Sequence, residues 1–418
     1  MSKGPLVIVG ASYAGLQVAA SARDGGFEEP ILLVGDEPHA PYQRPPLSKG
    51  LLTGKATEAQ LALRAPAFFQ DNRIELLTGT RVEAIDPAAR RVTLAGGKVL
   101  SYGWLALATG ASCRQLALPG CELAGIHPLR TLDDARTLAL AATYAERVCV
   151  IGAGYIGLEV AAALRSLGKQ VTVLESAPRV LSRSMPAVMS DHIEEVHRAH
   201  GVDLRMGQAL RALHGSRGHV EAVQLADGTQ IACELVVLGI GVVPNAELAA
   251  ACGIAVGNGI ETDACGRTSA PHVLAAGDVA SMALALPGMP SCRLRLESVQ
   301  AANDGGRAAA TAIVGRPQPC AAVPWFWSDQ FDLKLQMAGI ALPGDEAVIR
   351  GDMQAGKFCV GYLREGHLAA LHSVNRPAEH MLARRLIAAR ARISPDELRD
   401  TSFDLRQLLE PAQAATSP

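Results

Sequence analysis

The sequence predicts an α/β fold with two parallel-sheet domains, the second inserted in the first, and a mixed α+β domain at the C-terminal end. Three observations predict it. A glycine-rich strand–loop–helix pattern occurs twice, at residues 9–15 and 151–157. A short apolar run ending in Gly277-Asp278 follows the second pattern, where the chain returns to the first unit. Beyond Pro317 the sequence changes to alternating, strand-like segments.

Composition limits the classes of function. The chain has 418 residues, of which 49% are hydrophobic and 19% charged, a balance typical of parallel α/β sheets in two or three domains. The net charge of −2 gives no reason to expect nucleic acid or an anionic membrane as partner. No apolar run reaches membrane-spanning length, and the first strand begins by Leu6, which leaves no room for a signal peptide. We therefore predict a cytoplasmic location.

The first repeat is a candidate phosphate-binding loop. It reads Val-Gly-Ala-Ser-Tyr-Ala-Gly over residues 9–15, and the apolar run 31–34 that follows it ends near Asp36. Small residues let the backbone approach a pyrophosphate at the helix N-terminus, and the acid receives a ribose hydroxyl. Ser12 departs from the pattern, because a glycine usually stands there. We interpret it as tolerated, since serine is small and its hydroxyl can donate to phosphate; the alternative is a degenerate loop that binds weakly.

The second repeat matches the dinucleotide pattern fully. Gly152, Gly154 and Gly157 are present, and Glu175 lies 21 residues beyond Gly154. A carboxylate at that position accepts from an unmodified ribose and repels a 2′-phosphate, so NADH is favoured over NADPH. We interpret the nearby Arg179 and Arg183 as solvated surface charges; the alternative is that they weaken this preference. Two complete repeats in one chain indicate two dinucleotides with electrons passing between them.

Strand and turn signals divide the chain. Buried strands that close on a glycine turn are predicted at residues 104–110 and 235–241, and Thr131 is the predicted N-cap of a helix. We predict a first domain at residues 1–112 and 243–320, a second at 113–242 and a third at 321–418. A helix is predicted over about 299–314. In the third domain we predict strands at 333–339, 347–350, 358–363 and 367–373, a basic helix over about 378–392, and an Ala/Pro/Ser-rich tail.

Cysteine and histidine spacing argues against a metal centre. The nine cysteines include no Cys-x-x-Cys pair, and the eleven histidines show no ligand spacing. We therefore predict neither an iron–sulfur cluster nor a zinc site in this chain, and interpret most cysteines as small buried residues in a reducing compartment.

Several motifs together resemble one enzyme family. Besides the two glycine loops they are Arg-Pro-Pro-Leu-Ser-Lys at 44–49, Ala-Thr-Gly at 108–110, Gly-Asp at 277–278, Pro-Trp-Phe-Trp-Ser-Asp-Gln at 324–330 and Val-Asn-Arg-Pro at 374–377. Over its whole length the chain resembles the FAD-dependent NADH:ferredoxin reductases of oxygenase systems, of the putidaredoxin reductase and biphenyl dioxygenase reductase type. The resemblance implies a glutathione-reductase-like fold with an FAD-binding, an NAD-binding and a C-terminal interface domain.

The resemblance also implies which residues hold the two cofactors. The positions that match FAD contacts are Gly10, Ser12, Ala14, Gly15, Asp36, Arg44, Pro46, Lys49, Val82, Ala108, Thr109, Gly110, Arg130, Asp278, Val299 and Trp327. Those that match NADH contacts are Gly152, Gly154, Tyr155, Ile156, Gly157, Glu159, Glu175 and Gly241.

Three of these residues are the predicted catalytic set. We expect Lys49 and Glu159 to pair at the flavin face, where the lysine stabilises charge on the reduced flavin and the acid orients the nicotinamide. The alternative for Glu159 is an ordinary glutamate favoured by the helix dipole. The resemblance places Trp327 beside the flavin on the exit route for electrons, and the alternative is a core aromatic without an electronic role.

The absence of cysteine near the expected flavin position indicates the kind of electron acceptor. Related disulfide reductases and peroxidases carry cysteine in the stretch equivalent to residues 42–53, and this sequence has none there. The electrons must then leave to an external carrier. We predict a [2Fe–2S] ferredoxin that supplies a cytochrome P450 or a Rieske-type oxygenase. The alternatives are a rubredoxin reductase, an NADH oxidase, or an interaction protein like the relatives of apoptosis-inducing factor.

A small ferredoxin is acidic, so its docking surface should be basic. Arg384, Arg385 and Arg392 are predicted on one side of the helix near 378–392, and Arg307 matches a family position at the ferredoxin interface. The alternative for each is plain solvated charge. We predict a monomer or a weak homodimer.

Overall fold

The computed structural model describes residues 4–409; residues 1–3 and 410–418, with the predicted Ala/Pro/Ser-rich tail, lie outside the described residues. A five-stranded parallel sheet forms the centre of the first domain. Its strands, in spatial order, are Val273–Ala275, Trp104–Leu107, Leu6–Val9, Ile31–Val34 and Ile74–Leu77. Because Val273–Ala275 pairs with Trp104–Leu107, the chain returns to the first sheet after it has formed the second domain, as predicted.

Helices and small sheets surround this first sheet. Tyr13–Asp24 packs against Val299–Ile313 through alanine and glycine, which allows the two helix backbones to approach closely. The remaining helices are Pro66–Asp71 and Glu247–Ala251, with 3₁₀ turns at Pro45–Ser48 and Glu58–Leu61. One antiparallel sheet contains Val82–Asp86, Arg91–Leu94 and Val99–Ser101, and a mixed sheet contains Val256–Gly257, Gly259–Thr262, Ala280–Leu284 and Cys292–Leu294.

The second domain repeats the parallel-sheet architecture. Its strands, in spatial order, are Asp203–Arg205, Gln170–Leu174, Arg147–Ile151, Leu235–Leu238 and Ile126–Pro128. The helices are Leu132–Tyr144, Tyr155–Ser166 and Ala187–Ala199, and an antiparallel sheet contains Leu210–Ser216, His219–Leu225 and Gln230–Ala232. Thr131 caps the first of these helices: its hydroxyl accepts from the N–H of Asp134, which confirms the predicted N-cap.

The chain enters and leaves the second domain through two paired strands. Ala111–Cys113 pairs antiparallel with Val242–Pro244, so both crossings lie side by side. The predicted boundaries at residues 112 and 242 fall within this pair, and they stay predictions.

An antiparallel sheet forms the third domain. Its strands, in spatial order, are Trp325–Gln330, Leu333–Gly339, His367–Val374, Lys357–Arg364 and Glu346–Asp352. Alternate residues of Leu333–Gly339 are buried, as the period of a strand requires. Leu335 and Phe358 share an apolar core with Met189 and Ile193 of the second domain. The sheet therefore packs directly on the second domain.

The predicted basic helix is shorter than expected. It begins at Pro377 and ends at Ala388, and it is followed by Pro395–Arg399 and a 3₁₀ turn at Leu405–Leu409. Arg390 has a positive φ of 50° and interrupts the helical backbone. Arg392 therefore lies beyond the helix, in a segment that bridges to His367, and the prediction that it shares a helix face with Arg384 is wrong.

Three buried histidines make the fold sensitive to acid. Burial lowers the pKa of His197, His372 and His380 to about 4 each. The unfolded chain binds protons to these side chains below about pH 6.5. The free energy of unfolding is therefore not reduced by these groups above that pH. It falls as the pH is lowered towards 4, by up to about 3 kcal/mol per residue.

We accordingly expect the midpoint of urea unfolding to fall steeply between pH 6.5 and 4, in the window set by these pKa values. His372→Leu should flatten this dependence because it removes one such group. His214→Gln, at an exposed position of the second domain, should leave it unchanged. Equal pH dependence in the parent and in His372→Leu would contradict the assignment.

Candidate functional site

The first glycine loop folds around a position that admits only glycine. Gly10 has φ +115°, and a Cβ there would lie 2.0 Å from the carbonyl oxygen of Ala108. The helix Tyr13–Asp24 begins directly after the loop and directs its N-terminal dipole there. Ser12 is the N-cap, but its side chain makes no capping hydrogen bond. Its hydroxyl is thus available to a phosphate oxygen, which fits a pyrophosphate at this loop.

The loop opens into a cleft that encloses about 1740 Å³, part of it open to solvent. Residues of all three domains line the cleft. The predicted FAD residues among them are Gly10, Ser12, Ala14, Asp36, Arg44, Lys49, Ala108, Thr109, Gly110, Arg130, Asp278, Val299 and Trp327. The other three lie outside this lining: Gly15 packs beneath the loop against Gly10, Pro46 is in a 3₁₀ turn, and Val82 is buried in an apolar core.

Ion pairs fix one wall of the cleft. Arg44 donates to Glu37 at 2.5 Å and to the carbonyl oxygen of Arg130 at 2.7 Å. The Tyr42 hydroxyl donates to the other oxygen of Glu37, and burial raises the pKa of this tyrosine. Arg130 in turn donates to Asp278 at 2.8 Å. Sequence reasoning missed Glu37 and Tyr42; the only available signal was an acid next to Asp36 followed by a tyrosine.

The predicted contact between Lys49 and Glu159 is present. Their Nζ and Oε2 atoms are 2.6 Å apart, and the side chains are 20% and 2% exposed. The Ser48 hydroxyl donates to the same carboxylate at 2.5 Å, and the Ser328 hydroxyl donates to its other oxygen at 2.6 Å. These donors offset the cost of burying an ionised carboxylate. Sequence reasoning missed both serines, although each stands in a motif that it singled out.

An aromatic cluster lines the same cleft from the third domain. Trp327 belongs to the strand Trp325–Gln330 and lies in the cleft wall. Its ring is 5.5 Å from that of Trp325, which carries the guanidinium of Arg384 at 4.8 Å from its centroid. Phe326 packs on Tyr155 at 4.7 Å. A path of aromatic rings therefore runs from the cleft to a cationic side chain.

In the second glycine loop the side chain of Glu175 accepts hydrogen bonds from the backbone. The carboxylate of Glu175 accepts from the N–H groups of Ala153 at 2.7 Å and Ala177 at 2.8 Å. Ile156 and Glu159, on the helix that follows, line the large cleft. The other predicted NADH residues, Gly152, Gly154, Tyr155, Gly157, Glu175 and Gly241, lie outside its lining.

The two arginines near this loop differ in their exposure and in their contacts. Arg179 is half-buried and donates to the carbonyl oxygen of Met185 and, at 2.7 Å, to the hydroxyl of Ser190, so it is not a solvated charge. Arg183 is exposed and lies beside Gly241, with its guanidinium 3.4 Å from where a Cβ would stand.

The predicted docking arginines are dispersed. Arg307 is 54% exposed in its side chain and pairs with Asp304 on the helix Val299–Ile313. Arg384 stacks on Trp325, and Arg385 is exposed on the same helix as Arg384. Arg392 lies beyond that helix, next to Gly366.

The described residues contain no group of three or more histidine, cysteine, aspartate or glutamate side chains that could hold a metal ion. All nine cysteines are free. Between residues 4 and 409, no helix is both long and apolar enough to cross a membrane.

Comparisons with known proteins identify the family. A profile described as pyridine nucleotide-disulphide oxidoreductase matches residues 4–306, and one described as reductase C-terminal matches residues 325–409. The chain is 42% identical over 401 residues to rhodocoxin reductase of Rhodococcus erythropolis, with 96% of this chain and 93% of that one covered. It is 41% identical to the ferredoxin reductase subunit of 5,5'-dehydrodivanillate O-demethylase from a Sphingobium species, covering 96% and 97%.

A solved structure agrees with the sequence comparison. The covalent putidaredoxin reductase–putidaredoxin complex superposes with a TM-score of 0.94 at 38% identity, and the match covers 99% of this chain and 100% of that one.

These findings confirm the predicted resemblance, the fold class and the classification as a flavoprotein oxidoreductase of the ferredoxin reductase type. They also confirm FAD and a nicotinamide dinucleotide as the cofactors. The chain belongs to the pyridine nucleotide-disulphide oxidoreductase family, among its ferredoxin reductases.

Proposed function

We propose that this enzyme takes electrons from NADH and passes them one at a time to a [2Fe–2S] ferredoxin that supplies a cytochrome P450 or a Rieske-type oxygenase. The observation that carries the proposal is the buried Lys49–Glu159 pair in a cleft that also contains Trp327. FAD, when bound, supplies the exchange between two-electron and one-electron chemistry. The names of the relatives, with a ferredoxin reductase subunit and a reductase–putidaredoxin complex among them, support a ferredoxin as acceptor.

The cleft has the features that FAD requires. The Gly10 loop and the helix N-terminus at Tyr13 would hold the pyrophosphate, and Asp36 the ribose of the adenosine. The carboxylate of Asp278, which is fixed by Arg130, would accept a hydrogen bond from a hydroxyl of FAD near its flavin end. The aromatic wall at Trp327 suits a flat ring system.

In this proposal Lys49 and Glu159 act on the reacting end of the cleft. The ammonium group of Lys49 places a fixed positive charge there, held within 2.6 Å of the carboxylate. Glu159 orients the carboxamide of the nicotinamide by accepting from its N–H. Both groups are preorganised by their neighbours, so no reorientation is needed when the dinucleotide arrives. Trp327 shields this end of the cleft and leads through Trp325 towards the surface.

The proposal is tested by the choice of acceptor. NADH consumption should be slow with oxygen alone and should rise by more than tenfold when a [2Fe–2S] ferredoxin is added. Full turnover with oxygen alone would instead identify an NADH oxidase. Acceleration by rubredoxin and not by ferredoxin would identify a rubredoxin reductase.

Glu175 should set the choice between NADH and NADPH. We expect Glu175→Ser to raise kcat/KM with NADPH relative to NADH by about tenfold, because it removes a negative charge from the site of the 2′-phosphate. Steady-state kinetics with both dinucleotides measure this ratio. Asp203→Ser, on the neighbouring strand, is the control and should leave the ratio unchanged.

We also propose that Arg307, Arg384 and Arg385 contribute to a basic surface for the acidic ferredoxin, with Arg384 at the Trp325 end of the aromatic path.

We further propose a cytoplasmic location, which accords with nine free cysteines and with the use of NADH.

A further inference from the structure

We propose that Ser328 is a positioning residue for hydride transfer: its hydroxyl fixes the carboxylate of Glu159, and the third domain thereby helps to assemble the site at which NADH reacts. The inference rests on the proposed role of Glu159. It assigns to the third domain a part in the entry of electrons, in addition to their exit to ferredoxin.

Glu159 is held from two sides. Its Oε2 atom accepts from Lys49 and Ser48, both in the first domain. Its Oε1 atom accepts from the hydroxyl of Ser328 at 2.6 Å, across the boundary to the third domain. A carboxylate bonded at one oxygen alone can still rotate about its terminal torsion, whereas bonds at both oxygens fix its plane.

The hydroxyl of Ser328 is itself oriented. Gln330 donates from Nε2 to the Ser328 oxygen at 3.1 Å, and the Oε1 atom of Gln330 lies 2.9 Å from Nε2 of His197. Burial lowers the pKa of His197 to about 4, so at neutral pH its ring is uncharged and donates through Nε2. The donations run in one direction, from His197 through Gln330 and Ser328 to Glu159. Each bond polarises the next towards the carboxylate.

The network is excluded from water. Ser328, Gln330 and His197 are each 0% exposed, and Glu159 is 3% exposed. Hydrogen bonds to a charged group are strongest where water does not compete. Ser328 also follows Trp327 directly in the strand Trp325–Gln330, so the same strand supports both the carboxylate and the aromatic wall.

Other titratable groups lie close to this network. Lys49 is its ion-pair partner, and Tyr155 lies near it on the same helix. Burial raises the pKa of Tyr155 to about 12, so this side chain does not titrate near neutral pH. At the far end of the network, His200 lies close to His197.

The test is Ser328→Ala in the FAD-loaded enzyme. We expect the rate of flavin reduction at saturating NADH to fall about tenfold. This rate is measured as bleaching of the flavin absorbance in an anaerobic stopped-flow experiment. Ser328→Thr keeps the hydroxyl and should restore the parental rate, which a variant that only repairs packing would not do. Calorimetry should show binding of NAD⁺ weakened about threefold, a readout that requires no turnover.

Two further variants complete the test. Ser373→Ala removes an equally buried hydroxyl of the same sheet, which donates to the carbonyl oxygen of Gln336, and it should change neither the rate of bleaching nor the affinity for NAD⁺. Gln330→Met should lower both in the same direction but less, because Ser328 keeps its hydroxyl. If Ser328→Ala does not fold, Gln330→Met alone decides.

The outcomes separate the two proposals. A parent enzyme that NADH does not bleach would overturn the proposed function itself. A parent that bleaches, together with a Ser328→Ala variant of parental rate and NAD⁺ affinity, would overturn only the positioning role. A loss of thermal stability with parental rate and NAD⁺ affinity would show that Ser328 is merely structural, which also overturns the proposal.

Discussion

Glu159→Gln should slow the reduction of bound flavin by NADH by about 100-fold while FAD stays bound, because it removes the negative charge that is paired with Lys49 in the cleft. The amide is nearly isosteric: its oxygen can accept from one of the two serine hydroxyls that bind Glu159, and its NH2 group can donate to the oxygen of the other. The loss therefore reports on charge and orientation more than on packing. Stopped-flow measurement of flavin bleaching under anaerobic conditions gives the rate directly.

The same change should lower the urea midpoint, because the ammonium group of Lys49, only 20% exposed, loses its partner. Glu194→Gln is the control: it breaks an ion pair with Arg198 on a helix of the second domain and should alter neither quantity appreciably. Bleaching of Glu159→Gln at the parental rate would remove Glu159 from the catalytic set.

Gly10→Ala should yield protein that purifies without FAD. The new Cβ would lie 2.0 Å from the carbonyl oxygen of Ala108, so either the loop or the strand end behind it must move. Movement of the loop displaces the backbone N–H groups that would hold the pyrophosphate. We expect FAD affinity, measured by quenching of flavin fluorescence, to fall by more than 100-fold.

Gly26→Ala separates the steric effect from that of backbone conformation. Gly26 also has a positive φ, +88°, but a Cβ there meets nothing within 4 Å. The free energy of unfolding of this variant should be lower by about 1 kcal/mol, and the variant should retain its FAD. If Gly10→Ala retains FAD as Gly26→Ala does, the loop is not the pyrophosphate site.

Local sequence patterns predicted the fold well where they had a single physical meaning. The β-branched runs before each glycine loop became the central strands Leu6–Val9 and Arg147–Ile151, because an apolar run of that length is buried on both faces of a parallel sheet. The insertion of the second domain followed from the order of strands and glycine turns. The basic helix was predicted too long, since the apolar and cationic spacing continues beyond Ala388 although the backbone does not.

The candidate site was predictable only through motifs. Lys49 and Glu159 are 110 positions apart, and nothing in periodicity or charge brings them together; the resemblance to a family does. Ser48, Ser328 and Gln330 could not be singled out, because a serine or glutamine in a strand or turn is ordinary until its burial and partners are known. Arg179 was misjudged for the same reason, since an arginine that binds Ser190 and a backbone carbonyl has no distinguishing sequence.

The most direct test of the account is an anaerobic electron count. The FAD-loaded enzyme is mixed with one equivalent of NADH and an excess of oxidised [2Fe–2S] ferredoxin, and both the flavin and the iron–sulfur absorbance are followed. We predict that two ferredoxin molecules are reduced for each NADH consumed, at a rate that depends on Glu159 and Trp327. Flavin that bleaches with NADH and remains reduced in the presence of the ferredoxin would contradict the account.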